Sequence, residues 1–219
     1  MSTRLSKPSL PLIVLVLFIG LLVVSTASAS TTALWTQIFP GGVSPSGHWG
    51  QESAYDVNSD RLIMFAGYSL LPANNNDNDL WVMTNAAGRN GQPEWINLIP
   101  SYQPGSPTPR HWFGATYDPI NNRLIIFGGC GGGCYPTLND TWVLTNANGA
   151  EPTPPQWTQL FPSGTPPAGR AFPRLSYDPA TDRVILYSGQ NGSGWGGAVY
   201  NDVWILTNAN GLGGTPQWS

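Results

Sequence analysis

YDPINNRLIIFGGCGGGCYPTLNDTWVLT, residues 117 to 145, decides how this chain is read. Within it Leu124, Ile125, Ile126 and Phe127 form a continuous apolar run closed by Gly128 and Gly129. A short run of this kind between turn residues predicts a strand buried on both faces, so protein must lie on each side of it. The Asp118-Pro119-Ile120-Asn121-Asn122 segment has hairpin-turn chemistry, which predicts that the residues from Trp112 to Tyr117 pair antiparallel with the run. Asn139-Asp140 then opens a third strand through Trp142 and Leu144. The turn Asn146-Ala147-Asn148-Gly149 leads to a fourth that starts at Trp157 and stops at Pro162.

The same order recurs upstream as Tyr55-Asp56, Arg61 to Gly67 and Asn78-Asp79-Leu80-Trp81, and downstream as Tyr177-Asp178, Arg183 to Gly189 and Asn201-Asp202-Val203-Trp204. Trp35, Trp95, Trp157 and Trp218 mark the period, with spacings of 60, 62 and 61 residues. Four strands inside a fixed period predict radially stacked blades. The glycine pair after an apolar strand, the Asn-Asp-x-Trp strand and the following Trp resemble the kelch-repeat family over residues 35 to 219. That resemblance implies an all-β, kelch-type β-propeller of three four-stranded blades, with repeats at about 35–94, 95–156 and 157–217. The chain departs from the family pattern at Ala66-Gly67 and Ser188-Gly189, where a small residue stands for the first glycine.

Arg4 and Lys7 precede an apolar run from Leu12 to Val24, followed by Ala27-Ser28-Ala29. These are the three parts of a secretory signal peptide over residues 1–29, with cleavage after Ala29, and the run is short for a membrane span. The expectation is a secreted or extracytoplasmic chain with no membrane attachment after cleavage, the alternative being an uncleaved N-terminal membrane anchor. Beyond Ala29 the chain has seven arginines, no lysine and twelve acidic residues, a net charge of −5. Nucleic acid is therefore excluded as a partner, since no basic patch exists to neutralise phosphates. Cys130 and Cys134 flank three glycines, and in an exported chain they are expected to form a disulfide that stiffens one loop, free thiols or a metal site being the other readings.

The loops after the second strands differ most between copies, and variable loops on a repeated scaffold are where recognition is expected. They supply the candidate binding residues Tyr68, Tyr135 and Trp195, the last in a glycine-rich loop suited to stacking on a ligand. His48 and His111 read as equivalent repeat positions, with Ala171 in the third copy, and as scaffold. Asp56 and Arg61, Asp118 and Arg123, and Asp178 and Arg183 each bracket a hairpin, which suggests ion pairs across the loop base. Asn74 to Asp79 alternates oxygen ligands but lacks the glycine and glutamate of an EF-hand loop, so it reads as a solvated polar loop.

The expected function is protein or glycan binding through the inter-strand loops, with no cofactor, no metal and no catalytic set. The family resemblance also implies an enzyme alternative, since some exported kelch-like propellers are sugar epimerases or galactose-oxidase-like copper enzymes. The copper reading needs two histidine and two tyrosine ligands and a tyrosine-linked cysteine, which no stretch here matches; Tyr135 merely adjoins Cys134. An epimerase would need an acid and a base around a cleft, with Arg110 and Arg170 binding an acidic sugar. Three blades make an open arc, so the chain is expected to be part of a longer propeller or to self-associate into a six-bladed ring. Residues 35 to 39 read as a spare outer strand.

Overall fold

The computed structural model describes residues 34–69, 75–192 and 197–219. The signal-like segment 1–29, Asn74 and Trp195 lie outside these residues. The described residues contain no helix, and none among them is long and apolar enough to cross a membrane. The chain divides into residues 1–36 and 37–219. The described part of the first unit, 34–36, carries no strand.

Among its described residues the second unit holds fourteen strands: β1 (Gly41–Gly42), β2 (His48–Trp49), β3 (Glu52–Asp56), β4 (Arg61–Ser69), β5 (Asn75–Thr84), β6 (Glu94–Ile99), β7 (Gly114–Asp118), β8 (Arg123–Gly129), β9 (Leu138–Thr145), β10 (Gln156–Leu160), β11 (Arg174–Asp178), β12 (Arg183–Tyr187), β13 (Val203–Thr207) and β14 (Gln217–Trp218). They form three sheets whose antiparallel cores are β3-β4-β5-β6, β7-β8-β9-β10 and β11-β12-β13-β14, with β1 and β2 added to the first. The expected four-stranded blades are therefore present, and Trp95, Trp157 and Trp218 each lie in the outer strand that completes a sheet. The spare strand expected over residues 35–39 is not formed. Strand β13 pairs with β12 and β14 instead of with these residues.

The second strands of the first two blades carry a bulge. Register shifts occur between Phe65 and Gly67 and between Phe127 and Gly129. Ala66 (φ 54°), Gly128 (φ 68°) and Ser188 (φ 63°) all take the left-handed conformation there. Small residues are required because a Cβ on Gly128 sits only 2.9 Å from the Arg170 carbonyl oxygen of the next blade.

Blade faces repeat. Ile63, Phe65, Leu80 and Val82 of the first blade pack with Phe113, Leu124, Ile126 and Leu144 of the second. Ile125, Phe127 and Val143 pack in turn with Val184, Leu186, Leu206 and Trp218 of the third. Each second-strand aromatic meets the outer-strand tryptophan of the following blade, Phe65 to Trp157 at 4.6 Å and Phe127 to Trp218 at 5.4 Å between centroids. Ile126 and Phe127 are buried, as the apolar run requires. The third second strand departs from expectation: Val184 and Leu186 are buried, but Ile185 is 38% and Tyr187 50% exposed. No later blade covers that face among the described residues. The first blade's opposite face carries Met64, Trp81 and Met83, which are buried.

The hairpin aspartates and arginines do not pair across their own loops. Asp56, Asp118 and Asp178 accept bonds from turn amides two residues on, at Asn58, Ile120 and Ala180. The arginines reach forward instead: Arg61 donates to the Asn148 carbonyl and Arg123 to the Asn210 carbonyl, each at 2.8 Å. Asn148 Nδ2 returns a bond to Asp56 at 2.7 Å, and Asn210 Nδ2 to Asp118 at 3.1 Å. The motif latches one blade to the next, which sequence spacing alone read as a local pair.

Candidate functional site

Arg110 and Arg170 are fully buried, and both guanidinium groups are spent on the scaffold. Arg110 binds both oxygens of Asp140 at 2.7 and 2.8 Å and donates to the Gly128 carbonyl at 2.9 Å. Arg170 repeats this with Asp202 and the Ser188 carbonyl. Trp142 and Trp204 donate their indole N–H groups to the same two aspartates. An acidic sugar therefore cannot reach these arginines, and their place as binding residues is corrected: bidentate geometry holds each bulge to the third strand.

The first blade lacks that arginine. Strand pairing sets His48 opposite Ser69 and Trp49 opposite Tyr68, while His111 bridges to Cys130. Trp49 is thus the counterpart of His111 and Ala171, and His48 is the counterpart of Arg110 and Arg170. The sequence reading was out by one residue because both histidines precede a tryptophan. His48 Nε2 lies 3.0 Å from Asp77, leaving Asp79 with only the Trp81 indole. Burial raises the Asp79 pKa despite that bond. Burial acts the same way on Asp140, but the Arg110 bonds outweigh it and hold that carboxyl below its usual range. Asp202, held chiefly by Arg170, falls to about 2.

Asn75 to Asp79 is part of β5 rather than a free loop. Asn76 Oδ1 is 2.6 Å from His111 Nδ1, and Asn78 bonds both the Pro107 carbonyl and the Tyr102 amide. Their polar groups wire the third strand to the following loop. His111 Nε2 lies 3.6 Å from Cys134 Sγ, and burial lowers the His111 pKa, which keeps the imidazole neutral. His111, Cys130 and Cys134 group their ligand atoms within 4.8 Å, but Cys130 and Cys134 form a disulfide, so neither offers a thiolate.

Above this buried layer the inter-strand loops make a cleft of about 830 Å³, walled by Asn75, Asn76, Tyr102, Thr108 and Pro109 on one side and by Gly131 to Pro136 and Leu138 on the other. Tyr135 is 81% exposed and also lines a smaller cleft of about 260 Å³ with Asn191 and Tyr200. Tyr200 stacks on the Arg170 guanidinium at 4.3 Å. Neither cleft is lined by a charged residue. Amide groups and aromatic faces on a rigid base suit a neutral ligand held by stacking and hydrogen bonds.

Next to the cleft runs an aromatic row that sequence reasoning missed. Trp49 contacts Trp112 at 5.1 Å and Trp112 contacts Phe172 at 4.4 Å, one ring from each blade. Backbone bonds from Trp112 N to Gly50 O and from Phe172 N to Trp112 O fix the row. Gly50, Trp112 and Phe172 all have positive φ, at 69°, 55° and 57°. Tyr68 stacks on Trp49 at 5.0 Å and joins this cluster. The signal available was an aromatic residue just before each inner strand, obscured by the one-residue offset. Trp195 lies outside the described residues, so the structure brings together Tyr135 and the cleft, places Tyr68 on the adjoining row, and removes Arg110 and Arg170.

Among known families, the one described as the KLHDC2/KLHL20/DRC7 Kelch-repeats domain matches residues 21–211. The dynein alpha chain of the flagellar outer arm from Chlamydomonas reinhardtii is 28% identical over 110 residues, 49% of this chain and 2% of that one. A solved structure described as "Structure of YjhT" superposes with a TM-score of 0.54 at 16% identity, over 82% of this chain and 48% of that chain. The chain thus spans about half the length of that solved chain and a small fraction of the dynein.

Proposed function

Because this chain belongs to the kelch-repeat domain family, we propose that it is an exported binding module whose inter-strand loops take a neutral, extended segment of a protein ligand. The observation that carries this reading is the uncharged cleft between Tyr102 and the Gly131–Pro136 loop, with Tyr135 standing out of its wall. Kelch domains mediate protein interactions, and loops on a rigid sheet scaffold suit that role. A disulfide beneath the loop and the latches between blades hold the cleft's walls in place, which lowers the ordering cost of binding. A second reading, a glycan ligand, draws on the same Tyr135 ring in a cleft that Asn75 and Asn76 also line, since aromatic faces stack on sugars.

Tyr135→Ala is expected to weaken binding about tenfold or more while leaving the fold intact, as expected for an exposed aromatic anchor. The assay is a displayed library of uncharged peptides run beside an oligosaccharide array, each probed with the parent chain and the variant. Saturable peptide binding lost in Tyr135→Ala supports the protein reading, and array signal lost in the variant supports the glycan reading. Binding that Tyr135→Ala leaves unchanged rejects both.

Export rests on the charged residues, apolar run and small-residue site of residues 1–29, and it is compatible with a bridged cysteine pair. The secreted chain is expected to begin at Ser30 and to titrate no thiol under denaturing, non-reducing conditions. Two thiols per chain, or an N-terminus that retains Leu12 to Val24, contradicts this part.

A further inference from the structure

Under the cleft wall, one ring nitrogen and two sulfurs converge in a way that ligand binding does not use. Cys130, Cys134 and His111 are all more than nine-tenths buried, and their ligand atoms lie within 4.8 Å of one another. His111 and Cys130 are tied together by two backbone bonds, His111 N to Cys130 O at 3.0 Å and Cys130 N to His111 O at 2.8 Å. The rings of Trp112, Trp49 and Tyr68, with centroids 4.5, 5.1 and 5.6 Å from the imidazole, fix its plane. Asn76 Oδ1 can only accept, so its 2.6 Å contact places the ring proton on Nδ1 and leaves a lone pair on Nε2. That lone pair faces Cys134 Sγ at 3.6 Å. A bridged sulfur carries no hydrogen, so it donates nothing to this buried acceptor.

We propose that reduction of the Cys130–Cys134 bridge turns this cluster into a zinc site, with Cys130 Sγ, Cys134 Sγ and His111 Nε2 as its three protein ligands. The nitrogen-to-sulfur separation already equals the ~3.5 Å edge of a tetrahedron built with zinc–sulfur bonds of about 2.3 Å and zinc–nitrogen bonds of about 2.0–2.1 Å. His111 and Cys130 form the fixed half of the site. Cys134 is the half that moves, because it hangs on Gly131-Gly132-Gly133, where a side chain at either of the last two glycines would meet nothing within 4 Å. Two thiolates and a neutral imidazole balance the zinc charge and favour a thiophilic ion over a hard one. Cys134 also lines the cleft, from which water completes the coordination. The switch needs a dithiol reductant, which is oxidised to its own disulfide as the Cys130–Cys134 bond breaks and each sulfur gains one electron and one proton. Zinc then displaces the two protons. Gly131 to Pro136 wall the cleft, so exchanging bridge for metal resets the loop that carries Tyr135.

The test reduces the full chain with excess dithiol, removes the reductant under argon and titrates with Co2+, a coloured stand-in for zinc. The reduced chain is expected to bind one equivalent with a thiolate-to-cobalt charge-transfer band and the visible bands of tetrahedral cobalt, all lost when Zn2+ is added. The bridged chain is expected to bind at least about a hundredfold more weakly, since it offers no thiolate. The urea midpoint of the metal-free reduced chain is expected to stay near that of the bridged chain, because the bridge joins residues only four apart. Equal binding in the two states, no charge-transfer band, or unfolding on reduction overturns the proposal. His111→Ala is expected to weaken Co2+ binding about tenfold or more, and an unchanged affinity overturns the site as a dithiol alone. The chain has only two histidines, so nitrogen NMR of the zinc-loaded parent identifies the ligand even where that variant fails to fold. Zinc is expected to shift His111 Nε2 and leave His48 in place, and an unmoved His111 resonance overturns the assignment.

Discussion

Asp140→Asn is expected to destabilise the fold by about 3–5 kcal/mol, because it leaves the fully buried Arg110 guanidinium without its counter-charge. The guanidinium cannot escape by losing its proton, and its remaining bonds go to the Thr108 and Gly128 carbonyls and the Thr108 hydroxyl. Asp79→Asn, at the equivalent position of the first blade, is expected to fall within about 0.5 kcal/mol of the parent or to stabilise. No arginine faces Asp79, one of its oxygens is buried without a partner, and an amide oxygen still accepts from the Trp81 indole. Urea unfolding of the two variants reads the difference directly, and similar losses in both would contradict this account of the arginine pairs.

The same contrast has a pH signature. Asp202, with its pKa lowered to about 2, contributes stability that is present above the unfolded carboxylate value of about 4 and is lost as pH falls through about 2. Asp140 acts in the same sense, since its pKa is also lowered. Asp79 acts in the opposite sense: its raised pKa favours the protonated folded form, a contribution lost as pH rises through the folded value.

Phe127→Ala and Phe65→Ala are each expected to cost about 3–5 kcal/mol, since both rings are fully enclosed between two blades and no small shift refills the space. Tyr187→Ala removes the ring at the matching position of the third blade, yet its expected cost is below about 1 kcal/mol because that ring is half exposed and meets no later blade. Three aromatic residues at one repeat position thus differ in effect because, among the described residues, a next blade covers the first two and not the third. Their urea midpoints are expected to fall into that order.

The blades were legible in the sequence because their signals are local and threefold: an apolar run, a hairpin turn, an Asn-Asp-x-Trp strand and a tryptophan at each period. The latches were not, because Asp56 to Asn148 and Asp118 to Asn210 each span 92 residues, while the spacing of five between each Asp and Arg suggested a nearer partner. Arg110 and Arg170 were misassigned for a related reason. A repeated arginine reads as a ligand contact until burial shows it enclosed with Asp140 and Asp202. Tyr135, which lines both clefts, stood out in the sequence because its loop differs from its counterparts, whereas the Trp49-Trp112-Phe172 row depends on a register that the neighbouring histidines disguised.

The central claim is that equivalent faces of the three blades are buried in the first two and open in the third. Hydroxyl-radical footprinting of the folded chain, read by mass spectrometry at Phe65, Phe127 and Tyr187, tests it most directly. The expected result is strong protection of both phenylalanines and ready oxidation of Tyr187, with all three oxidised in urea. Tyr187 as protected as Phe65 and Phe127, or either phenylalanine as reactive as Tyr187, would contradict the account.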